Sequence, residues 1–339
     1  LPLAFWSLNQ TQPVTHKQTF KESSKMLKYR FYQVDVFTDQ AFGGNPLAVF
    51  PDASGLTGTQ MQNIAREMNL SETTFVLPSD HPDADFKVRI FTPDAELPFA
   101  GHPVVGTHWT LAYLGRVRLQ APVTTVRFEL GVGVRAAALH VEDGRVTRVV
   151  MDHQKPEFTA IANTDQVIRL AQGLGLHPNA VLDTGWPVQV VSSGIRQLFI
   201  PVRSLAEVQA LSPKQQDTAA MSQICAELDP ETRCNECLMV LTLETTDPGA
   251  QVHTRLFAPG LGVGEDPATG SASGGLGAYL IENGIVPPTP PTTYLIAEQG
   301  IEMRRPSRIS IEVDGTPGRI DMVRVGGGVV PLIEGEITW

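Results

Sequence analysis

Hydrophobic and polar positions alternate through the aromatic-rich "KYRFYQVDVF", Lys28 to Phe37, which predicts a strand, and "GGNPLAVF" predicts a turn followed by a second strand. The spacing changes in "TGTQMQNIAREMNLS", where Met61, Ile64, Ala65 and Met68 recur with helical period. Strands are predicted at "ETTFVLP" and "DFKVRIFTP", then a helix through "GHPVVGTHWTLAYLG" that Gly115 stops, then strands at "TTVRFEL", "VRAAALHVE" and "RVTRVVMD". The second half follows a similar plan. A helix at "TDQVIRLAQGLGL" precedes strands "PVQVVSSG" and "QLFIPV", a helix near "SLAEVQAL", strands "CLMVLTLET" and "VHTRLFAP", and a helix through "ASGGLGAYLIENG".

The likeness of the halves is a duplication. "VRIFTPDAELPFAGHPVVGTHWTLAYLG" aligns without a gap on "TRLFAPGLGVGEDPATGSASGGLGAYLI", matching Arg89, Phe91, Pro93, Ala112, Tyr113 and Leu114 to Arg255, Phe257, Pro259, Ala278, Tyr279 and Leu280. Each copy reads as strand, irregular loop and a helix begun by small residues. Ala100 falls opposite Asp266, and His102 lies in the mirror-image loop. The expected organisation is an N-terminal arm over 1–27, one half over 28–150 and another over 151–332, with 333–339 a candidate to return to the first half.

Composition narrows the picture. A chain of 339 residues is long for one core, and 30 glycines with 26 prolines suit many strands and turns. The net charge of −10 argues against a nucleic-acid partner, so an anionic ligand must be held by backbone dipoles or individual cations. Cys225, Cys234 and Cys237 are too few for a disulfide framework and suit a reducing compartment; Cys234 and Cys237 read as thiols flanking a strand, with a metal or redox pair as the alternative. The opening "LPLAFWSLNQTQPVTHKQTFKESSKM" lacks a signal-peptide layout and is expected to be a disordered arm. Without an apolar run of membrane-spanning length, the expectation is a cytoplasmic protein with no membrane partner.

Candidate chemistry gathers in the two duplicated loops. "GEDPATGSASGG" sets Glu265 and Asp266 before a run of tiny residues, and bare amides at a helix start attract anions. The expected substrate-binding set is Gly101, Thr269, Gly270, Ala272 and Asn45. His102 directly follows Gly101 at the other helix start, and a histidine there suits proton exchange near neutrality or a hydrogen-bonded core position. Asp266 also suits an N-cap before Pro267, and Ser271 a small residue in a turn. Glu72 of "NLSETTFVLP" stands between a turn and an apolar strand, either solvated at the strand edge or buried with a raised pKa fit for acid/base work.

Taken together, "YRFYQVDVFTDQAFGGNPLAVF", "NLSETTFV", "FTPDAELPFAGHPVVGT" and "EDPATGSASGGLGAYL" resemble the PhzF-like family named for phenazine biosynthesis, relatives of diaminopimelate epimerase. The resemblance runs from about Lys28 to "VRVGGGVVPLIEGEI". It implies an α+β fold of two pseudo-symmetric halves, each a β-barrel-like sheet around a central helix, with the site between them, no cofactor and a homodimer. It further implies Glu72 as the proton carrier, with His102, Asp266 and Ser271 as its catalytic companions. The family's late "QG…GRPS" reads here "QGIEMRRPS", with Arg304 where glycine is usual. The two helix-start thiols of the epimerase relatives fall here at Ala100 and Asp266, which disfavours two-thiol racemisation. The expected activity is a cofactor-independent isomerase that moves a carbon-bound proton on a small carboxylate-bearing substrate. A lyase or epimerase on another small acid, and a non-catalytic binding protein on the same fold, remain as alternatives.

Overall fold

The computed structural model describes residues 26–339, so all of the expected arm except Met26 and Leu27 lies outside the described residues. Leu27 already exchanges backbone hydrogen bonds with Trp339. The strands are β1 (Lys28–Val36), β2 (Asn45–Phe50), β3 (Glu72–Leu77), β4 (Phe86–Phe91), β5 (Glu96–Leu97), β6 (Val123–Leu130), β7 (Gly133–Glu142), β8 (Arg145–Asp152) and β9 (Glu157–Ile161). A second series follows: β10 (Gln189–Ser192), β11 (Arg196–Pro201), β12 (Leu238–Thr242), β13 (Val252–Ala258), β14 (Val263–Asp266), β15 (Thr292–Gln299), β16 (Ser307–Thr316), β17 (Arg319–Gly327) and β18 (Val329–Thr338). The helices are α1 (Gly58–Met68), α2 (Gly101–Tyr113), α3 (Thr164–Leu174), α4 (Asn179–Leu182), α5 (Leu205–Gln209), α6 (Thr218–Leu228) and α7 (Gly270–Glu282).

The pairing repeats from one series to the other. In one half the ladder runs β18, β1, β2, β3, β4, β6, β7, β8. In the other it runs β9, β10, β11, β12, β13, β15, β16, β17. The parallel pairs also correspond: β2 with β3 matches β11 with β12, and β4 with β6 matches β13 with β15. β8 and β17, themselves counterparts, pair antiparallel and join the halves. Each series gives up its last strand. β9 pairs with β10 in the second half, and β18 runs the length of β1, Lys28 opposite Thr338 and Val36 opposite Val329.

Each sheet wraps one apolar helix. Eleven of the thirteen residues of α2, and eleven of thirteen in α7, are buried, the mark of a helix that is core on every side. α2 packs on β1, β2, β7 and β8, and α7 on β10, β11, β16 and β17. Gly106 lets α2 lie close, since a β-carbon there would stand 2.6 Å from Leu47 and 2.7 Å from Val36. No helix among the described residues is long and apolar enough to cross a membrane.

The gapless alignment holds for the strands but not for the helix starts. Ala100 is the N-cap of α2, whereas its counterpart Asp266 ends β14, and Thr269 takes the cap position of α7. Asp266 is therefore not an N-cap. The residue before a proline is steered to extended backbone, so Pro267 delays the helix by three residues and leaves the Asp266 side chain free of capping duty.

Candidate active site

The first turns of α2 and α7 meet where the two halves face each other. A β-carbon on Gly101 would stand 3.2 Å from the Ser271 nitrogen and 3.3 Å from the Gly270 carbonyl carbon. Neither helix has a side-chain cap, although α1 and α3 each carry a full capping box, Thr57 with Gln60 and Asn163 with Gln166. Uncapped N–H groups of two helices thus converge with like-signed dipole ends, an arrangement that negative charge stabilises. Gly101, Gly270, Ser271 and Ala272 stand at this junction. The Thr269 amide is already spent, donating to Gln299 Oε1 at 3.3 Å.

Two carboxyl groups and an imidazole lie beside the junction. Glu72, the first residue of β3, has a side chain only 15% exposed, and its Oε2 is 3.3 Å from His102 Nε2 in a geometry that makes no hydrogen bond. Burial, reinforced by the charge of Asp266 and partly offset by Ser71, pushes the Glu72 carboxyl up to about 8. Burial holds His102 down to about 3, so its imidazole is neutral at neutral pH. Asp266 is pushed up to about 6 by burial, aided by Glu265 and opposed by hydrogen bonds from Thr269 and Asn45. At neutral pH, then, Glu72 is largely a carboxylic acid and Asp266 largely a carboxylate. Unequal neighbouring carboxyls of this kind are the usual arrangement for acid/base work.

Asn45, expected to contact the substrate, makes its hydrogen bonds within the protein. Its Nδ2 donates to Asp266 Oδ1 and to the Ala268 carbonyl, both at 2.9 Å, and its Oδ1 accepts from Ser71 at 2.9 Å. Both of its N–H groups are committed inside the protein, so it acts through Asp266. The Thr269 hydroxyl donates to Asp266 Oδ2. Gln299 Nε2 donates to the Asp266 carbonyl at 2.8 Å and to the Thr269 hydroxyl at 3.0 Å. Ser271 Oγ accepts from Gln197 Nε2 at 3.4 Å.

Glu265 is not a second reactive acid. It forms a bidentate pair with buried Arg255 at 2.7 and 2.8 Å, as Arg89, the duplicated counterpart of Arg255, does with Glu96. The turn after β15 and the first residue of β16 brace the same region: Ser307 Oγ donates to the Pro267 carbonyl at 2.9 Å, and Arg305 reaches across to Asp35 at 2.6 Å and the Gly44 carbonyl at 2.8 Å. Arg304, where the family usually has glycine, keeps a left-handed backbone with φ 58°. The three cysteines are free and buried. Burial, with the charge of Asp266 second, pushes the Cys237 thiol up to about 12, so it stays protonated.

Ser71, Gln197 and Gln299 escaped sequence reasoning. Ser71 is the serine of the quoted "NLSETTFV" and Gln299 opens the quoted "QGIEMRRPS", so both were within reach; Gln197 sits in an ordinary strand pattern and carries no local signal.

Residues 34–335 match the family model described as phenazine biosynthesis-like protein. The chain is 34% identical over 311 residues to the trans-2,3-dihydro-3-hydroxyanthranilate isomerase of Pseudomonas aeruginosa, covering 91% of this chain and 99% of that protein. Among solved structures it is similar to the phenazine biosynthesis protein, PhzF family, of Bacillus anthracis, with a TM-score of 0.80, 28% identity and 92% and 99% of the two chains covered. A hydroxyproline epimerase from Agrobacterium vitis shares the fold, with a TM-score of 0.61 at 14% identity over 92% of both chains.

Proposed function

The chain belongs to the phenazine biosynthesis-like family and is an isomerase, and from that membership we propose that Glu72 carries a proton between two carbons of a small unsaturated carboxylic acid, without a cofactor. The observation that carries this reading is the pairing of Glu72, held near pH 8, with Asp266, held near pH 6, beside two uncapped helix starts. The substrate carboxylate rests on the amides around Gly101, Gly270 and Ser271. The ionised form of Glu72 takes the proton from a carbon made acidic by the neighbouring π-system, and the C–H electron pair spreads into that system. The double bond shifts, and Glu72, now a carboxylic acid, returns the proton to a different carbon. No electrons are gained or lost overall. Asp266 and neutral His102 hold the polar groups of the substrate, and the helix ends stabilise the charge that develops.

The named substrate of the P. aeruginosa relative is a cyclic, unsaturated acid, and that class suits the site proposed here. The test is isotopic: candidate cyclic acids incubated with the protein in heavy water should gain carbon-bound deuterium. The E72Q variant should bind the same acids with dissociation constants nearly unchanged and exchange ~10²–10⁴-fold more slowly. Undiminished exchange in E72Q would transfer the proton to Asp266 or His102.

A further inference from the structure

The turn between β15 and β16 belongs to the second half, yet the side chain of its Arg305 bonds to the first. Nη2 donates to Asp35 Oδ1 and to the Gly43 carbonyl, both at 2.6 Å, and Nε donates to the Gly44 carbonyl at 2.8 Å. Asp35, near the end of β1, is fully buried, and its other oxygen accepts from the Phe42 amide at 2.8 Å. One of the three arginine contacts would neutralise Asp35. The other two fall on successive carbonyls of the loop between β1 and β2, and they use the planar fork of donors that a lysine lacks.

The loop gripped in this way ends one residue before Asn45, the donor to Asp266. Gly44 has φ 60°, and a β-carbon there would stand 2.2 Å from the Val36 carbonyl oxygen, so the loop folds tightly back on β1. A displacement of Gly44 in so tight a loop passes directly to Asn45. The turn that holds it is itself fixed in the second half. Gln299, before the turn, donates to the Asp266 carbonyl, and Ser307, after it, donates to the Pro267 carbonyl. Within the turn, Glu302 Oε1 lies 3.1 Å from His253 Nε2 on β13. A closed ring results, from Asp266 to Asn45 and Gly44, across to Arg305, and back through Gln299 and Ser307 to Asp266 and Pro267.

We propose that Arg305 is a positioning residue for the isomerase: by clamping the Gly44 carbonyl to the second half, it keeps Asn45 hydrogen-bonded to Asp266. The proposal deepens the isomerase reading and rests on it for the role of Asp266. Arg305 bonds to neither Asp266 nor Glu72, so its effect passes through Asn45. The Asn45 bond favours ionised Asp266 against burial, and slackening it should raise the pH at which Asp266 ionises, now about 6. The other titratable groups coupled to Asp266 by charge are Glu265 beside it, Glu72 on β3 and the Cys237 thiol before β12, with neutral His102 next to Glu72. Arg305 is bonded to none of them.

Carbon-13 NMR of protein labelled at the aspartate carboxyl carbons tests this without turnover, with the Asp266 signal assigned by its absence from D266N. R305K keeps a cation against Asp35 but loses the fork, and R305M loses both. Each should raise the Asp266 midpoint by about half a pH unit or more. In an N45A background the same substitutions should add less than about 0.2 of a pH unit, because the path through which they act is already cut. A direct effect of the Arg305 charge would instead persist in that background and be missing from R305K. Should R305M fail to fold with Asp35 left unpaired, R305K and its N45A double variant carry the comparison. An Asp266 midpoint unmoved in R305K, or a shift that survives in full beside N45A, would overturn the clamp. The two readings fail separately: deuterium exchange without the shift sinks the clamp alone, and the shift without exchange sinks the isomerisation alone.

Discussion

Gly101 and Ser271 touch across the boundary between the halves, close enough that a β-carbon on Gly101 would stand 3.2 Å from the Ser271 amide nitrogen and force the two backbones apart by a few tenths of an ångström. Backbone opposes backbone there, so neither side yields by a rotamer change. G101A should therefore destabilise the protein by about 1–3 kcal/mol and push the helix starts apart. Denaturant midpoints and the affinity for a carboxylate probe measure both effects. An alanine that left both unchanged would mean that the junction is looser than its geometry.

The carboxyl groups set a pH dependence for the isomerase. Glu72 must be ionised to take a proton from carbon and is pushed up to about 8, while Asp266 is pushed up to about 6. The logarithm of kcat/KM should rise with unit slope from pH 6 to pH 8, more steeply below 6, and level off above 8. A profile already flat at pH 6 would require a base other than Glu72.

The same displacement acts on stability in the opposite sense. Between about 4.5 and 8 folded Glu72 holds a proton that the unfolded chain has released, so stability falls as pH rises through that window. E72Q has no such proton to lose. Its stability relative to the parent should be nearly level at pH 4.5 and grow toward pH 8, by up to about 5 kcal/mol. Urea titrations of both proteins at the two pH values measure the difference, and one independent of pH would place Glu72 in solvent.

Arg304 keeps the left-handed backbone that glycine adopts freely. R304G should stabilise the fold by up to about 1 kcal/mol, since it removes the clash of Cβ with the backbone but gives some of the gain back as chain entropy in the unfolded state. A fall in the denaturation midpoint would show that the Arg304 side chain makes a larger contribution than its backbone costs.

The strands from β1 to β4, from β6 to β8 and from β10 to β13, the two apolar helices and the repeat that pairs Arg89 with Arg255 were legible because each is written in local spacing; β9 and β15 to β18 were not read from it. The strand exchange was legible only in part: 333–339 was a candidate to return to the first half, but β18 crosses from Val329 onward along the whole of β1, and its alternation alone does not say so. The start of α7 after Pro267 was nearly legible: the helix expected through "ASGGLGAYLIENG" begins two residues after the observed start at Gly270. Glu72, His102 and Asp266 could be named from motifs, yet their opposed protonation states arise only from burial and mutual charge. Asn45 and Asp266 meet across 221 residues of chain, a relation that no sequence periodicity carries.

That contact gives the last prediction. The hydrogen bonds from Asn45 and Thr269 favour ionised Asp266 against burial, so removing either donor should raise the Asp266 pKa above its present value near 6. In N45A the steep acidic limb of the kcat/KM profile should move to higher pH, while the limb set by Glu72 stays near 8 or falls slightly as the charge of Asp266 is lost. N45A also frees the Ala268 carbonyl and the Ser71 hydroxyl, so a general loosening would lower activity at every pH. T269A separates the two effects, because it removes a donor to Asp266 from the other side while leaving those two groups paired. An acidic limb that moves upward in both variants assigns the shift to Asp266. A uniform loss in N45A with no movement in T269A would make Asn45 a structural brace and leave the acidic limb to another group.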